Sequence, residues 1–245
     1  MKAIILVAGY ATRLYPLTKN FPKPLLSVGK VTIIDHIVNK IEAVKEVNEI
    51  FVVTNNNFYE HFVKWRNDST YNKKITVLND FTTSNENRLG ALRDLYYVIE
   101  SQKIDEDVLV LAGDNLFEFA LTDMVSFYNE KMQNVITTHE LGDVEALKRT
   151  GVIKVDGDNK VIDFVEKPTN PDSNLAVPPF YIYTKNTVEK WIGKYVEDNT
   201  QLDAPGNLVP YLIKNSSVYA FKFSGKRYDI GNLESYNKVK EIFHE

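Results

Sequence analysis

Arg13 and Lys23 lie in two basic segments, Gly9-Tyr10-Ala11-Thr12-Arg13 and Phe21-Pro22-Lys23-Pro24, close behind the apolar run Ala3 to Ala8. From Met1 to Ile34 there are five basic residues (Lys2, Arg13, Lys19, Lys23, Lys30) and no acidic one, although the net charge of the chain is -4. A guanidinium and an ammonium on a small-residue loop after a buried strand suit a bound anion, phosphate above all. The opposite charge appears farther on. Asp114 follows the apolar run Asp107 to Ala112 in Gly113-Asp114-Asn115. A carboxylate just past the C-terminal end of a buried parallel strand lies where open α/β sheets bind ligands, which makes Asp114 a candidate metal ligand.

Rival chemistries lack their residues. No Gly-Lys-Ser/Thr follows the glycines, and no triple-glycine dinucleotide fingerprint stands at a strand-to-helix turn. His36, His61, His139 and His244 sit in unrelated contexts and assemble no Ser-His-Asp set. Cysteine is absent, which excludes disulfides and thiolate metal sites and agrees with a cytoplasmic location. Asp105-Glu106-Asp107 imitates a metal-binding Asp-x-Asp but precedes its strand, where it caps a turn.

The elements that must position these groups alternate. Ala3 to Ala8 reads as a strand; six or seven apolar residues are too few for a signal peptide. Thr32 with Asp35 caps a helix whose apolar residues are Ile33, Ile34, Ile37, Val38, Ile41 and Val44. Glu49 to Asn55 is a strand, Phe58 to Arg66 a helix, Ile75 to Leu78 a strand, and a further helix ends near Glu100. Helices are expected over Leu121 to Gln133, Thr187 to Val196 and Asn207 to Lys214. Strands are expected over Asn134 to His139 and Val218 to Phe223, with a hairpin around Asp156 to Asn159. The expectation is an α/β, three-layer Rossmann-like fold with a mostly parallel central sheet and a small β-rich subregion. One domain spans 1–245, with a nucleotide-binding part of about 1–140 and an acceptor-binding part of about 141–245. A hydrophobic content of 44% supports a substantial core. No apolar run approaches the ~20 residues of a membrane span, and the net charge disfavours nucleic-acid binding.

The run AGYATRLYPLT followed by KPLL resembles the signature of the sugar-1-phosphate nucleotidylyltransferases, the NDP-sugar pyrophosphorylases, in their short thymidylyl and uridylyl forms. Three further motifs extend the resemblance from Ala3 to Tyr236: Leu-Ala-Gly-Asp-Asn ending at Asn115, Glu166-Lys167-Pro168 after the hairpin, and Asp229-Ile230-Gly231-Asn232-Leu233-Glu234-Ser235. The resemblance implies that Ala8, Gly9 and Thr12 meet the nucleotide with Arg13 and Lys23 as catalytic cations. It implies that Asn85, Asn87 and Gly90, in the polar loop after Asp80, meet the base. Gly151, Glu166 and Lys167 then bind the sugar and its phosphate, and Asp114 and Asp229 hold Mg2+. The bland alternatives stay open residue by residue: an Asn-rich turn for Asn85 and Asn87, a solvated strand end for Glu166-Lys167, a helix cap for Asp229.

Ala8 and Ala11 stand where the family has glycine, and an alanine disfavours positive φ at either position. Pro179 stands at another family glycine, removing a backbone donor in the sugar pocket. The implied reaction condenses a nucleoside triphosphate, UTP or dTTP, with a sugar 1-phosphate such as glucose 1-phosphate, releasing pyrophosphate, in a protein that acts alone or as a homo-oligomer. Two other readings remain: a cytidylyltransferase acting on phosphocholine or another phosphorylated alcohol, and a non-catalytic regulatory relative.

Overall fold

Period-two burial along the central strands sets the architecture. In the computed structural model, which describes Met1–Phe243, Ala3 and Ile5 pack to one side of the first strand and Ile4 to the other. His244 lies outside the described residues. The first half of the chain runs β1 (Lys2–Leu6), β2 (Ser27–Val28), β3 (Val31–Thr32), α1 (Ile33–Glu42), β4 (Glu49–Thr54), α2 (Tyr59–Asp68), β5 (Lys74–Asn79), α3 (Ala91–Gln102), β6 (Val108–Ala112), β7 (Asn115–Phe117) and α4 (Leu121–Lys131). The second half runs β8 (Asn134–Glu140), α5 (Val144–Leu147), β9 (Gly151–Val155), β10 (Val161–Glu166), β11 (Leu175–Val177), β12 (Phe180–Tyr183), α6 (Lys185–Thr187), a π-helical turn (Val188–Ile192), α7 (Gly193–Asp198), α8 (Val209–Asn215), β13 (Val218–Lys222), β14 (Arg227–Asp229) and α9 (Leu233–Ile242).

The main sheet has the order β10-β9-β11-β8-β12-β6-β1-β4-β5, with β13 also paired to β8. It is parallel through β6, β1, β4 and β5, so the C-terminal ends of four strands share one edge. β12 enters antiparallel between β6 and β8, and β8, β11, β9 and β10 continue as the expected β-rich subregion. Helices α1, α2 and α4 cover one face through Ile37, Phe62 and Met124, and α3, α7 and α8 cover the other through Leu95, Val196 and Leu212. The three-layer expectation therefore holds. The capping box at Thr32 and Asp35 is formed as well. Among the described residues no helix is long and apolar enough to cross a membrane.

A third, smaller core matters most for function. Leu14, Val28, Ile33, Leu116, Ile230, Tyr236 and Val239 pack together. This cluster joins the loop after β1 to β7, β14 and α9. Each fully buried leucine or isoleucine in it contributes about 1.5–3 kcal/mol, which anchors the first basic loop beside the last two strands.

Candidate functional site

The loop that carries Arg13 begins as β1 ends. Ala8 is buried, and its carbonyl accepts a hydrogen bond from Asn55 Nδ2 at 2.9 Å. A Cβ added to Gly9 would meet nothing within 4 Å, so a ligand can approach the backbone there. Ala11 has φ 47° and ψ 41°. This reverses the sequence expectation: the alanine adopts the left-handed conformation in place of a glycine. Its carbonyl explains why, accepting from Leu14 N at 2.9 Å and from Thr18 Oγ1 at 2.8 Å, which locks the turn at Thr12–Leu14. Thr12 and Arg13 are exposed on that turn, above the buried Leu14.

Lys23 is only 9% exposed. Its ammonium donates to Asp114 Oδ2 and to the carbonyl of Ile230, each at 2.8 Å. Asp114 Oδ1 accepts from Asn115 Nδ2 at 2.6 Å. Burial pushes the Asp114 carboxyl up, but Lys23 and the Asn115 hydrogen bond outweigh it and hold the group below the usual carboxylate range. Asp229 sits opposite Asn115 in the antiparallel ribbon of β7 and β14. Burial and the nearby Asp114 charge push its carboxyl up, against Arg227, Lys23 and Arg13. A Cβ built on Gly231 would lie 3.9 Å from Asp229 Oδ1 and 4.0 Å from Arg13 Nη1, so the arginine and this aspartate flank the same glycine. The structure thus brings together Arg13, Lys23, Asp114 and Asp229.

These two carboxylates suit a divalent cation. Their charges repel each other, their donors are all oxygen, and a hard cation relieves the repulsion. Among the described residues no group of three or more His, Cys, Asp and Glu could hold a metal, so a cation on these two carboxylates completes its shell with water, or with phosphate oxygens where a ligand supplies them.

The polar loop lies beyond β5. Thr82 Oγ1 accepts from Tyr10 OH at 3.2 Å, tying it to the first loop. Asn87 braces its own turn, Oδ1 accepting from Thr83 N and Ser84 N at 3.1 and 2.9 Å and Nδ2 donating to Thr83 Oγ1 at 3.2 Å, which leaves one Nδ2 hydrogen free. Asn85 has no side-chain hydrogen bond among the described residues, and its backbone carbonyl accepts from Arg88 Nη1 at 2.7 Å. Gly90 has φ 88°, and an added Cβ would stand 2.8 Å from the carbonyl oxygen of Leu202. Only glycine tolerates both conditions.

Gly151, Glu166 and Lys167, expected to meet the acceptor, lie at the ends of β9 and β10. Glu166 is half-buried, without a hydrogen bond among the described residues, and burial pushes its carboxyl up against the opposing charge of Lys167. Gly151 and Gly206 wall it in; a Cβ on either would stand 3.3 or 2.5 Å from Glu166 Oε2. Lys167 is exposed with φ 49°, and its ammonium has no ion-pair partner among the described residues. The structure does not join it to Lys23 or the aspartates.

Two features escaped the sequence reading. One is Arg227, whose Nε donates to Asn115 Oδ1 at 2.6 Å while an Nη lies 3.6 Å from Asp229 Oδ2; a basic residue two positions before Asp229 was the available signal. The other is the segment Leu202–Gly206. Asp203 takes a forked pair from Arg88 at 3.2 and 2.6 Å, Leu202 O accepts from Leu92 N at 2.9 Å, and Gly206 meets Glu166. It bridges the polar loop and Glu166, and only its Pro-Gly pair marked it.

A family model described as nucleotidyl transferase matches residues 2–245. The bifunctional protein GlmU of Methanococcus aeolicus is 32% identical over 236 residues, 94% of this chain and 51% of that protein. The glucose-1-phosphate adenylyltransferase of Fervidobacterium nodosum is 30% identical over 248 residues, 95% of this chain and 59% of that protein. The chain therefore spans between half and two thirds of the length of these relatives. Among solved structures, a putative glucose-1-phosphate thymidylyltransferase from Bacillus anthracis superposes with a TM-score of 0.84 at 22% identity, covering 100% of this chain and 96% of that one. Apo UDP-glucose pyrophosphorylase superposes at 0.81 with 21% identity, covering 100% and 98%. These two share the fold. With the family model matched over residues 2–245, the chain belongs to the nucleotidyl transferase family.

Proposed function

We propose that this protein is a sugar-1-phosphate nucleotidylyltransferase that condenses UTP or dTTP with a sugar 1-phosphate, glucose 1-phosphate foremost, to give an NDP-sugar and pyrophosphate. The observation that carries the reading is the meeting of Arg13, Lys23, Asp114 and Asp229 at the edge where the parallel strands end. That inventory neutralises phosphate charge and contains no protein nucleophile.

An oxygen of the acceptor phosphate attacks the α-phosphorus in line. The bond from that phosphorus to the bridging oxygen breaks, and its electron pair leaves with pyrophosphate. No base is required, because a phosphate monoester with a second pKa near ~6 is mostly a dianion at neutral pH. Arg13 meets charge developing on the α- and β-phosphates. Lys23 holds Asp114 in place and lowers the potential that opposes a polyanion. Asp114 and Asp229 would hold Mg2+, which would supply charge neutralisation for the phosphates. Asn85 and the Gly90 backbone face the base, with Ala8, Gly9 and Thr12 beside the triphosphate. Gly151, Glu166 and Lys167 receive the acceptor, Glu166 taking hydroxyl donors and Lys167 the phosphate.

The phosphocholine alternative loses its aromatic box: Phe180, Tyr181 and Tyr183 are 0–2% exposed and face the cores. The non-catalytic alternative is opposed by the assembled cations and carboxylates. The test is pyrophosphate release with Mg2+ from UTP, dTTP, CTP, GTP and ATP against glucose 1-phosphate, other sugar 1-phosphates and phosphocholine. Release that needs one triphosphate, a sugar 1-phosphate and the metal supports the reading. Release with phosphocholine alone, or none from protein that binds no triphosphate, overturns it.

A further inference from the structure

The ribbon of β7 and β14 carries one charged side chain that this reaction leaves unassigned. Arg227 stands two residues before Asp229 on β14 and therefore on the same face of the ribbon, where Asn115 lies opposite Asp229. Its Nε donates to Asn115 Oδ1, and Asn115 Nδ2 in turn donates to Asp114 Oδ1, both at 2.6 Å. An Nη reaches to 3.6 Å from Asp229 Oδ2. Asn115 is 2% exposed, so its carboxamide has no solvent to turn toward. A guanidinium only donates and a carboxylate only accepts, which leaves the amide one orientation between them.

We propose that Arg227 is a positioning residue for the two-carboxylate centre, orienting Asp114 through Asn115 and steadying Asp229 directly, so that both carboxylates stand ready for a divalent cation. The proposal rests on the reading of Asp114 and Asp229 as the cation site. Its physical basis is that two neighbouring carboxylates separate unless a fixed positive charge lies between their supports. Lys23 hydrogen-bonds Asp114 and the Ile230 carbonyl and reaches Asp229 through its charge alone, whereas Arg227 is tied to the supports of both carboxylates. The Arg227 side chain is 16% exposed, which keeps its charge poorly screened. A planar fork serves Asn115 and Asp229 from one fixed geometry, and an ammonium on a flexible stem fixes two such partners less rigidly.

The experiment titrates Mn2+ into the substrate-free protein, followed by the EPR signal of free Mn2+, with thermal melts as the control for folding. Arg227→Gln is expected to weaken Mn2+ binding about 10–100-fold, the cost of losing the outer hydrogen-bond partner of a metal ligand. The magnesium concentration for half-maximal turnover should rise by a similar factor, with the acceptor KM at saturating metal unchanged. Arg227→Lys, the variant to use should the glutamine fail to fold, is expected to recover only part of the affinity. Unchanged Mn2+ affinity in a folded variant overturns the proposal, and a raised acceptor KM with intact metal affinity does so by making Arg227 a substrate contact. Asp229→Asn separates the two levels. If it abolishes Mn2+ binding while Arg227→Gln does not, only the positioning role falls; if it too leaves binding intact, the cation-site reading falls and takes the proposal with it.

Discussion

Lys23 Nζ lies 2.8 Å from Asp114 Oδ2, joining a residue of the first loop to one at the end of β6. The same ammonium holds the Ile230 carbonyl, at the exit of β14. One side chain thus closes three separate segments onto the site. Lys23→Met is expected to destabilise the protein by about 1–3 kcal/mol, because it leaves a carboxylate and a buried carbonyl unpaired; the cost stays below that of a fully buried pair because the Asp114 side chain is 37% exposed. Urea melts check the loss, and an unchanged midpoint would show that the pair carries no structural weight.

Arg13→Ala separates catalysis from folding. Arg13 is exposed and its neighbour Leu14 supplies the packing, so thermal stability should hardly move. Turnover is expected to fall about 10²–10³-fold, the cost of removing one well-placed charge from a developing anion. Near-normal turnover would remove Arg13 from the reaction.

Ala11→Gly is expected to stabilise the protein by about 0.5–1 kcal/mol. At φ 47° an alanine pays the left-handed penalty that a glycine avoids, partly offset by the greater freedom of glycine in the unfolded chain. A lower denaturation midpoint would mean that the Thr18 and Leu14 hydrogen bonds to the Ala11 carbonyl leave little strain behind.

Asp94 makes stability pH-dependent. Burial, with the adjacent Asp80 charge, pushes its carboxyl up to about 8, and Asp203 adds to the shift, whereas an unfolded aspartate titrates near ~3.9. The folded state therefore binds the proton more tightly. The contribution is complete below pH ~4 and is lost as pH rises through about 8. Asp94→Asn should flatten this slope and raise stability at pH ~9 by on the order of 1–3 kcal/mol. Parallel pH profiles for the two proteins in urea melts would refute the shift.

Gly206→Ala tests the bridge between the two halves of the site. Its Cβ would stand 2.5 Å from Glu166 Oε2 and 2.8 Å from Phe164 Cζ, so the carboxylate must move. The acceptor KM is expected to rise about 10–100-fold, since a displacement of roughly 1 Å is costly at a reacting site, with the triphosphate KM unchanged. A rise in the triphosphate KM alone would contradict the acceptor assignment of Glu166.

The alternation of apolar strands with amphipathic helices was legible along the chain, because both periodicities are local: Ile4 and Ile5 turn to opposite faces, and Ile34, Ile37 and Ile41 fall on one. Arg13, Lys23 and Asp114 were legible as short charged signals beside apolar runs, and Asp229 only through the motif that carries the family resemblance. Three things were not. The sequence alone made positive φ unfavourable at Ala11, yet hydrogen bonds from Leu14 and Thr18 impose it. Asn87 reads as a base contact, and only the fold shows that its carboxamide also braces the turn at Thr83 and Ser84. Arg227 and Leu202–Gly206 carried no motif, because their roles exist only once β14 lies on β7 and the segment before α8 folds across Gly90 and Glu166. Local pattern determines which residues line a strand or open a helix. Which charges face each other depends on pairings between distant segments, and only the tertiary structure makes those.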